Sequence, residues 1–255
     1  LPFAGVLLGI GASFSNPTTI AAYGLESVLH PGGGLFSFML ILSNVGGVIF
    51  GNLPLIFALA VALGLAKKEK GIAVLGGAIF YLVMLITIHV FLILEGSIVD
   101  GANAPHVREG AITDVLGITT LQMGVFAGIV TGMAAAAICD KFYKQQLPPA
   151  FAFFGGTRFV PIACMSFGIV CGAIMYFVWP FVQEGIFKLG ALVQASGYVG
   201  TFLFGCFERA LIPFGLHHIF YLPFWQTGLG GTAIIDGQTV MGAQNIFFAE
   251  LASPN

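Results

Sequence analysis

Glu208, Arg209, His217 and His218 fall within eleven residues of a 255-residue chain, in the run Phe207-Glu-Arg-Ala-Leu-Ile-Pro-Phe-Gly-Leu-His-His-Ile219. An arginine presents a rigid fork of donors to hydroxyl or carboxylate groups. An imidazole accepts or gives a proton near neutral pH. A carboxylate accepts hydrogen bonds or pairs with a cation. The run continues an apolar stretch that opens at Tyr198, so these groups lie at or near membrane depth. There an ionised side chain costs about 2.5–3.5 kcal/mol at a helix centre, and a cluster of them reads as a functional site facing protein partners or a wet cavity.

The backbone adds a second reason. Pro213 removes a helix donor and clashes with the preceding turn, and Gly215 permits a sharp change of direction. A span broken between Arg209 and His217 exposes backbone groups that are tolerated at depth only where they line a cavity or are buried in protein. Broken helices of this kind build binding sites near the bilayer midplane. In one straight helix Arg209 and His217 would stand about 12 Å apart; a break can bring them closer. An architectural reading competes. Glu208 and Arg209 project about 100° apart on a helix, so each can pair with a different neighbour. His217 and His218 cannot both point inward from a regular helix, so one binds and the other packs. His30, His89 and His106 read as structural or exposed. Phe220, Tyr221, Phe224 and Trp225 follow the break. Their faces can stack on the C–H faces of sugars, although packing is the commoner reason for such residues.

The elements that hold these groups follow from composition. Hydrophobic residues make up 58% of the chain and charged residues 8%, against roughly 25% charged in soluble domains. Mean hydropathy is +0.99. Disorder is excluded by this composition. Nucleic-acid binding is excluded by a net charge of -2 with only nine Lys and Arg. The fold class is all-α: a polytopic membrane protein with a broken helix or hairpin at the candidate site. Cys139, Cys164, Cys171 and Cys206 lie in or beside apolar runs and read as buried thiols.

A spanning helix needs about 20 mostly apolar residues. Residues 1–14 read as the end of one span. Residues 35–66 are apolar but interrupted at Asn44, Gly46-Gly47 and Gly51-Asn52. Residues 71–94, 116–138, 159–182 and 198–214 read as further spans, the last with charges inside it. Lys67, Lys68 and Lys70 share one loop; Lys141, Lys144 and Arg158 lie two spans later. The positive-inside rule makes both loops cytoplasmic and the acidic 95–114 loop external. The chain opens inside an apolar stretch and closes on Ser253-Pro254-Asn255, so a fragment of a longer protein is expected. Small residues recur every fourth position at Gly5 and Gly9, at Gly124, Gly128 and Gly132, and at Gly168 and Gly172. That spacing lets helix backbones approach in lipid, inside a bundle first and at a subunit interface second.

The cytoplasmic stretch Lys141 to Arg158 carries a doubled Pro148-Pro149 and a Gly155-Gly156 turn. It suits a soluble partner, an anionic head group or a plain connector. GxxxxGK[ST], GxSxG and HExxH motifs do not occur, and no Cys/His spacing suits zinc, so neither metal nor cofactor is expected.

Several segments resemble one family. Arg209 to Ile219, RALIPFGLHHI, resembles the signature of the glucose superfamily of phosphotransferase-system sugar permeases, the membrane enzyme IIC component. Gly156 to Ile162 (GTRFVPI), Asn52 to Gly64 (NLPLIFALAVALG) and Lys141 to Pro148 (KFYKQQLP) are similar to family segments in the same order. FFGGTRF, together with Gly237 to Leu251 (GQTVMGAQNIFFAEL), looks more like the maltose and maltose/glucose branch. Glucose and N-acetylglucosamine members are the neighbouring specificities.

The resemblance implies a homodimer in the bacterial cytoplasmic membrane. Residues 1–182 would form the interface half with about five spans, and 183–255 the first part of a moving transport domain. It implies a sugar site at Arg209 and His217, with Glu208 and His218 beside them and His217 as the catalytic residue. Phosphate would come from a phosphocysteine on a IIB domain, which the loop with Gly156, Thr157 and Arg158 would meet. The family's GITEP-like motif, whose glutamate contacts sugar, and its phosphocysteine motif do not occur in this sequence. The chain is thus expected to hold a partial site and to depend on a longer protein for transfer. Two other readings stay open. One is an ion-coupled secondary sugar transporter using Glu208. The other is a membrane sugar sensor that transports nothing.

Overall fold

The computed structural model describes residues 2–99, 102–103, 111–212, 221, 224–225, 232–235, 238–241, 243, 246–247 and 250. The chain divides into two compact units, Leu1–Leu53 with Phe247–Asn255, and Pro54–Ile246.

The first unit holds α1 (Pro2–Ser15), α2 (Pro17–Ala22) and α3 (Gly34–Gly51). α1 and α3 pack antiparallel because small residues let their backbones close. A Cβ at Gly11 would collide with the Ser43 backbone nitrogen, and one at Gly46 would stand 2.6 Å from Leu8 Cβ. The spacing had pointed to Gly5 and Gly9; Gly9 has nothing within 4 Å of where its Cβ would be. The contact runs instead through Gly11. Asn44 does not interrupt α3, because its Nδ2 donates to the Leu40 carbonyl at 2.7 Å and removes the cost of an unpaired amide. The break falls at Asn52 alone, between α3 and α4 (Leu53–Leu65).

In the second unit α4 is followed by α5 (Lys70–Glu95), α6 (Gly124–Phe142), α7 (Phe159–Ala195) and α8 (Gly197–Leu211). Three helical stretches, within α5, α6 and α7, are long and apolar enough to cross a membrane, or up to 4 if α3 and α4 count as one span. α5 is the central element and packs on both α6 and α7. The core has two parts. One gathers Tyr81, Met84, Leu85, Ile88, Met123 and Trp179. The other is built from small side chains, Ala62, Ala73, Ala135, Cys139, Ala163 and Cys164. The glycine stripes on α6 and α7 face inward. A Cβ at Gly128 would strike the Pro54 carbonyl oxygen, and at Gly132 it would lie 2.7 Å from that of Ala58. At Gly172 it would meet Thr87 Cβ at 2.7 Å. In lipid, helix association rests on such close packing rather than on apolar burial from water. Gly128→Val is therefore expected to lower thermal stability in detergent by about 3 kcal/mol, at the upper end of overpacking costs. Gly9→Ala, with open space around it, should leave the melting temperature unchanged.

Residues 116–138 do not form one span. Residues 112–121 make a hairpin, β3 (Ile112–Val115) paired with β4 (Ile118–Leu121), after a shorter one of β1 (Ile98–Val99) and β2 (Ala102–Asn103). The alternating Ile-Thr-Asp-Val and Ile-Thr-Thr-Leu flank a two-residue turn in which both Leu116 (φ 56) and Gly117 (φ 76) are left-handed. That is the turn whose twist suits a hairpin. α6 starts only at Gly124. The hairpin is pinned to the bundle through its backbone. Trp179 Nε1 donates to the Gln122 carbonyl at 2.9 Å and the buried Gln183 amide donates to that of Ala111 at 2.9 Å. His89 Nδ1–H donates to the Thr119 carbonyl at 2.7 Å, which gives this histidine an architectural task. A third hairpin joins β5 (Thr232–Ile235) to β6 (Gln238–Met241).

At the opposite end of α5, Asp140 Oδ1 accepts from the backbone N–H groups of Lys67 and Lys68 at 2.9 and 3.1 Å. This ties the α4–α5 turn to the end of α6. The two lysine-bearing loops thus share one end of the bundle, and the β1–β4 hairpins occupy the other.

Candidate functional site

α8 carries two of the four candidate site residues. Its packed stripe is Gly200, Leu203, Phe204, Phe207, Glu208 and Leu211, at the three-and-four spacing of one helix face. Glu208 belongs to that stripe and is half-buried; Arg209, one position on, is exposed. The two side chains therefore diverge, as adjacent helical positions must. α8 ends at Leu211, where the Ile212 N–H turns to the Arg209 carbonyl at 3.3 Å. Ile212, beyond the last helical residue, keeps helical backbone angles (φ -57, ψ -49). Arg209 so stands in a last turn, where a cation also meets the negative end of the helix dipole.

The aromatic residues beyond the signature lie back along α8. Phe224 meets Phe204 edge-on with centroids 4.8 Å apart. The Tyr221 and Trp225 rings pack at a tilt of 37° with centroids 4.2 Å apart. Among the described residues Glu208 takes no part in the one ion pair, Lys188 with Glu184. His217 and His218, and with them Pro213, Gly215 and Phe220, lie outside the described residues. Cys206, expected to be buried, is exposed on α8, because it falls on the face opposite the packed stripe.

The loop with Gly156, Thr157 and Arg158 is well defined. Gly156 takes a left-handed φ of 65, and its N–H donates to the Gln145 carbonyl at 2.8 Å, closing the loop at its neck. Arg158 is turned onto the loop itself. Its Nη1 donates to the Phe153 carbonyl at 3.1 Å, and its guanidinium lies 4.4 Å from the Phe153 ring centre. Among the described residues no group of three His, Cys, Asp or Glu side chains could hold a metal ion.

Comparison with known proteins adds the relation between these parts. The family described as "Phosphotransferase system, EIIC" matches residues 1–254. The PTS system maltose-specific EIICB component of Escherichia coli (strain K12) is 38% identical over 257 residues, covering 100% of this chain and 47% of that protein. The PTS system glucose-specific EIICBA component of Staphylococcus saprophyticus is 39% identical over 258 residues, 98% of this chain and 35% of that protein. The chain spans less than half the length of these curated relatives. With the match running over residues 1–254, the chain belongs to the EIIC family of the phosphotransferase system.

Proposed function

We propose that this chain is the sugar-binding membrane part of a maltose- or glucose-type phosphotransferase permease in the bacterial cytoplasmic membrane. The observation that carries the reading is the match over residues 1–254, with relatives named for maltose and glucose. The protein binds sugar from outside, carries it inward and presents it to a phosphorylated IIB domain. Residues 1–182 serve as the dimer interface and 183–255 begin the transport domain. Arg209 donates to sugar hydroxyls from the end of α8, where its exposure leaves the guanidinium available. Glu208 and His218 complete the polar surroundings.

His217 hydrogen-bonds the hydroxyl that is phosphorylated. As that oxygen bonds to phosphorus, the phosphorus–sulfur bond to the IIB cysteine breaks and sulfur leaves as thiolate. The hydroxyl proton passes to the imidazole, whose ordinary pKa of about 6.5 suits that exchange. The IIB domain approaches the cytoplasmic end, where Gly156, Thr157 and Arg158 lie.

Uptake of labelled maltose and glucose by cells making the full-length protein tests this. Intracellular sugar phosphate that disappears without the phosphoryl donor is the expected result. Free sugar whose accumulation a protonophore collapses would instead identify an ion-coupled carrier. The orientation has its own test. A cysteine at Ala102, on the β1–β2 hairpin, should react with impermeant thiol reagents from outside when the four native cysteines are absent. Reaction only from the cytoplasmic side would invert the assignment.

A further inference from the structure

Tyr143 to Arg158, entered from Lys141 in the last turn of α6, is a compact loop that displays apolar surface instead of hiding it. Besides the neck between Gly156 and Gln145, the Phe151 N–H donates to the Pro148 carbonyl at 2.8 Å and the Gly155 N–H to that of Ala152 at 3.1 Å. These bonds fix a short turn over Pro149–Phe154 in which no residue is buried. Phe151, Phe153 and Phe154 are exposed by 60%, 69% and 45%. Three phenylalanines held outward by a hydrogen-bonded loop would be costly in water. Arg158 fastens one of them, Phe153, through its carbonyl and its ring. Lys141 and Lys144 are exposed on the incoming side of the same loop, and no acidic residue lies between Lys141 and Arg158.

We propose that this loop is an interfacial anchor: the three phenylalanines enter the acyl–headgroup boundary of the adjoining leaflet, and Lys141, Lys144 and Arg158 hold its anionic phospholipid phosphates. Two observations select lipid as the occupant. The first is continuity with the membrane face. The loop leads directly into α7, whose exposed Ile162, Met165 and Ile169 fall on one helical face, and it leaves α6 at Phe142, which packs against Phe159 and Phe167 of α7 at 5.7 and 6.4 Å. The loop therefore springs from two adjacent span ends and lies at the level of the head groups. The second is charge. Three cations without a counter-charge in the loop match an anionic surface, where each is worth about 1 kcal/mol. Aromatic rings with flanking bases are the composition of interfacial anchors. This anchor rests on the membrane placement and not on the sugar. It leaves the Gly156 neck, rather than the phenylalanines, for a soluble partner.

Nitroxide labels test the proposal in the full-length protein, free of native cysteines, in nanodiscs of phosphatidylglycerol or of phosphatidylcholine. Labels replace Phe151 (F151C) and, as an aqueous reference in the same loop, Gln146 (Q146C). In phosphatidylglycerol the label at 151 should meet a water-soluble nickel chelate several-fold less often than the label at 146, and oxygen more often. The difference should shrink in phosphatidylcholine discs and in a K141Q/K144Q background. Equal nickel access at 151 and 146 would overturn the anchor. Protection that develops only on adding phosphorylated IIB would assign the surface to a protein instead. Equal protection in both lipids would remove the role of the anionic head groups. Unchanged sugar binding by the labelled proteins separates these outcomes from loss of fold.

Discussion

Arg209→Ala in the full-length protein is expected to weaken sugar binding about tenfold to a hundredfold without unfolding it. Hydrogen bonds that involve a charged group contribute about 1.5–3 kcal/mol, and each 1.4 kcal/mol is a factor of ten in affinity. The cost should fall on binding because Arg209 is exposed in the last turn of α8. Among the described residues the ion pair is Lys188 with Glu184, and Arg209 takes no part in it. Loss of the favourable helix-end position removes a few tenths of a kcal/mol. Arg209→Lys keeps the charge but not the planar fork, so it should restore binding only in part. Titration calorimetry with maltose and glucose reads all three proteins. Wild-type affinity in Arg209→Ala would take this residue out of the site.

His217→Ala should slow phosphoryl transfer to sugar by roughly a hundredfold or more, the range lost with a general base. Binding should fall much less, because one hydrogen bond to a neutral imidazole is worth about 1 kcal/mol. His218→Ala should change the transfer rate only a few-fold. Single-turnover transfer from phosphorylated IIB separates the two histidines. The reverse order would put His218 against the sugar and His217 in the packing.

Much of this architecture was legible in residue types, and the errors have identifiable physical causes. The span over residues 71–94 was plain because Lys70 and Glu95 bound an uninterrupted apolar run. Residues 116–138 misled because Leu116, Ile118 and Leu121 are as apolar as a helix; the period-two alternation and the Leu116-Gly117 turn carried the hairpin signal. Asn44 looked like a break but satisfies itself by donating to Leu40. The glycine spacing on α6 and α7 marked real close approaches, since backbone contact excludes a Cβ wherever helices must meet. On α1 the same spacing missed Gly11, because the partner helix, not the repeat, chooses the contact.

At the candidate site, Glu208 and Arg209 diverge as their adjacency requires, while the expected break at Pro213 lies outside the described residues. The sequence offered no sign that Phe224 would pack on Phe204. That contact is a tertiary matter. Nor could it reveal that one Nη1–H of Arg158 would donate to the Phe153 carbonyl, five residues back.

The most direct test is a structure of the full-length protein with maltose or glucose bound. The central claim predicts the sugar beside the end of α8, with the Arg209 guanidinium and the His217 ring both within hydrogen-bonding distance of its hydroxyls. Sugar bound elsewhere, or both tips buried against protein with no space between them, would contradict it.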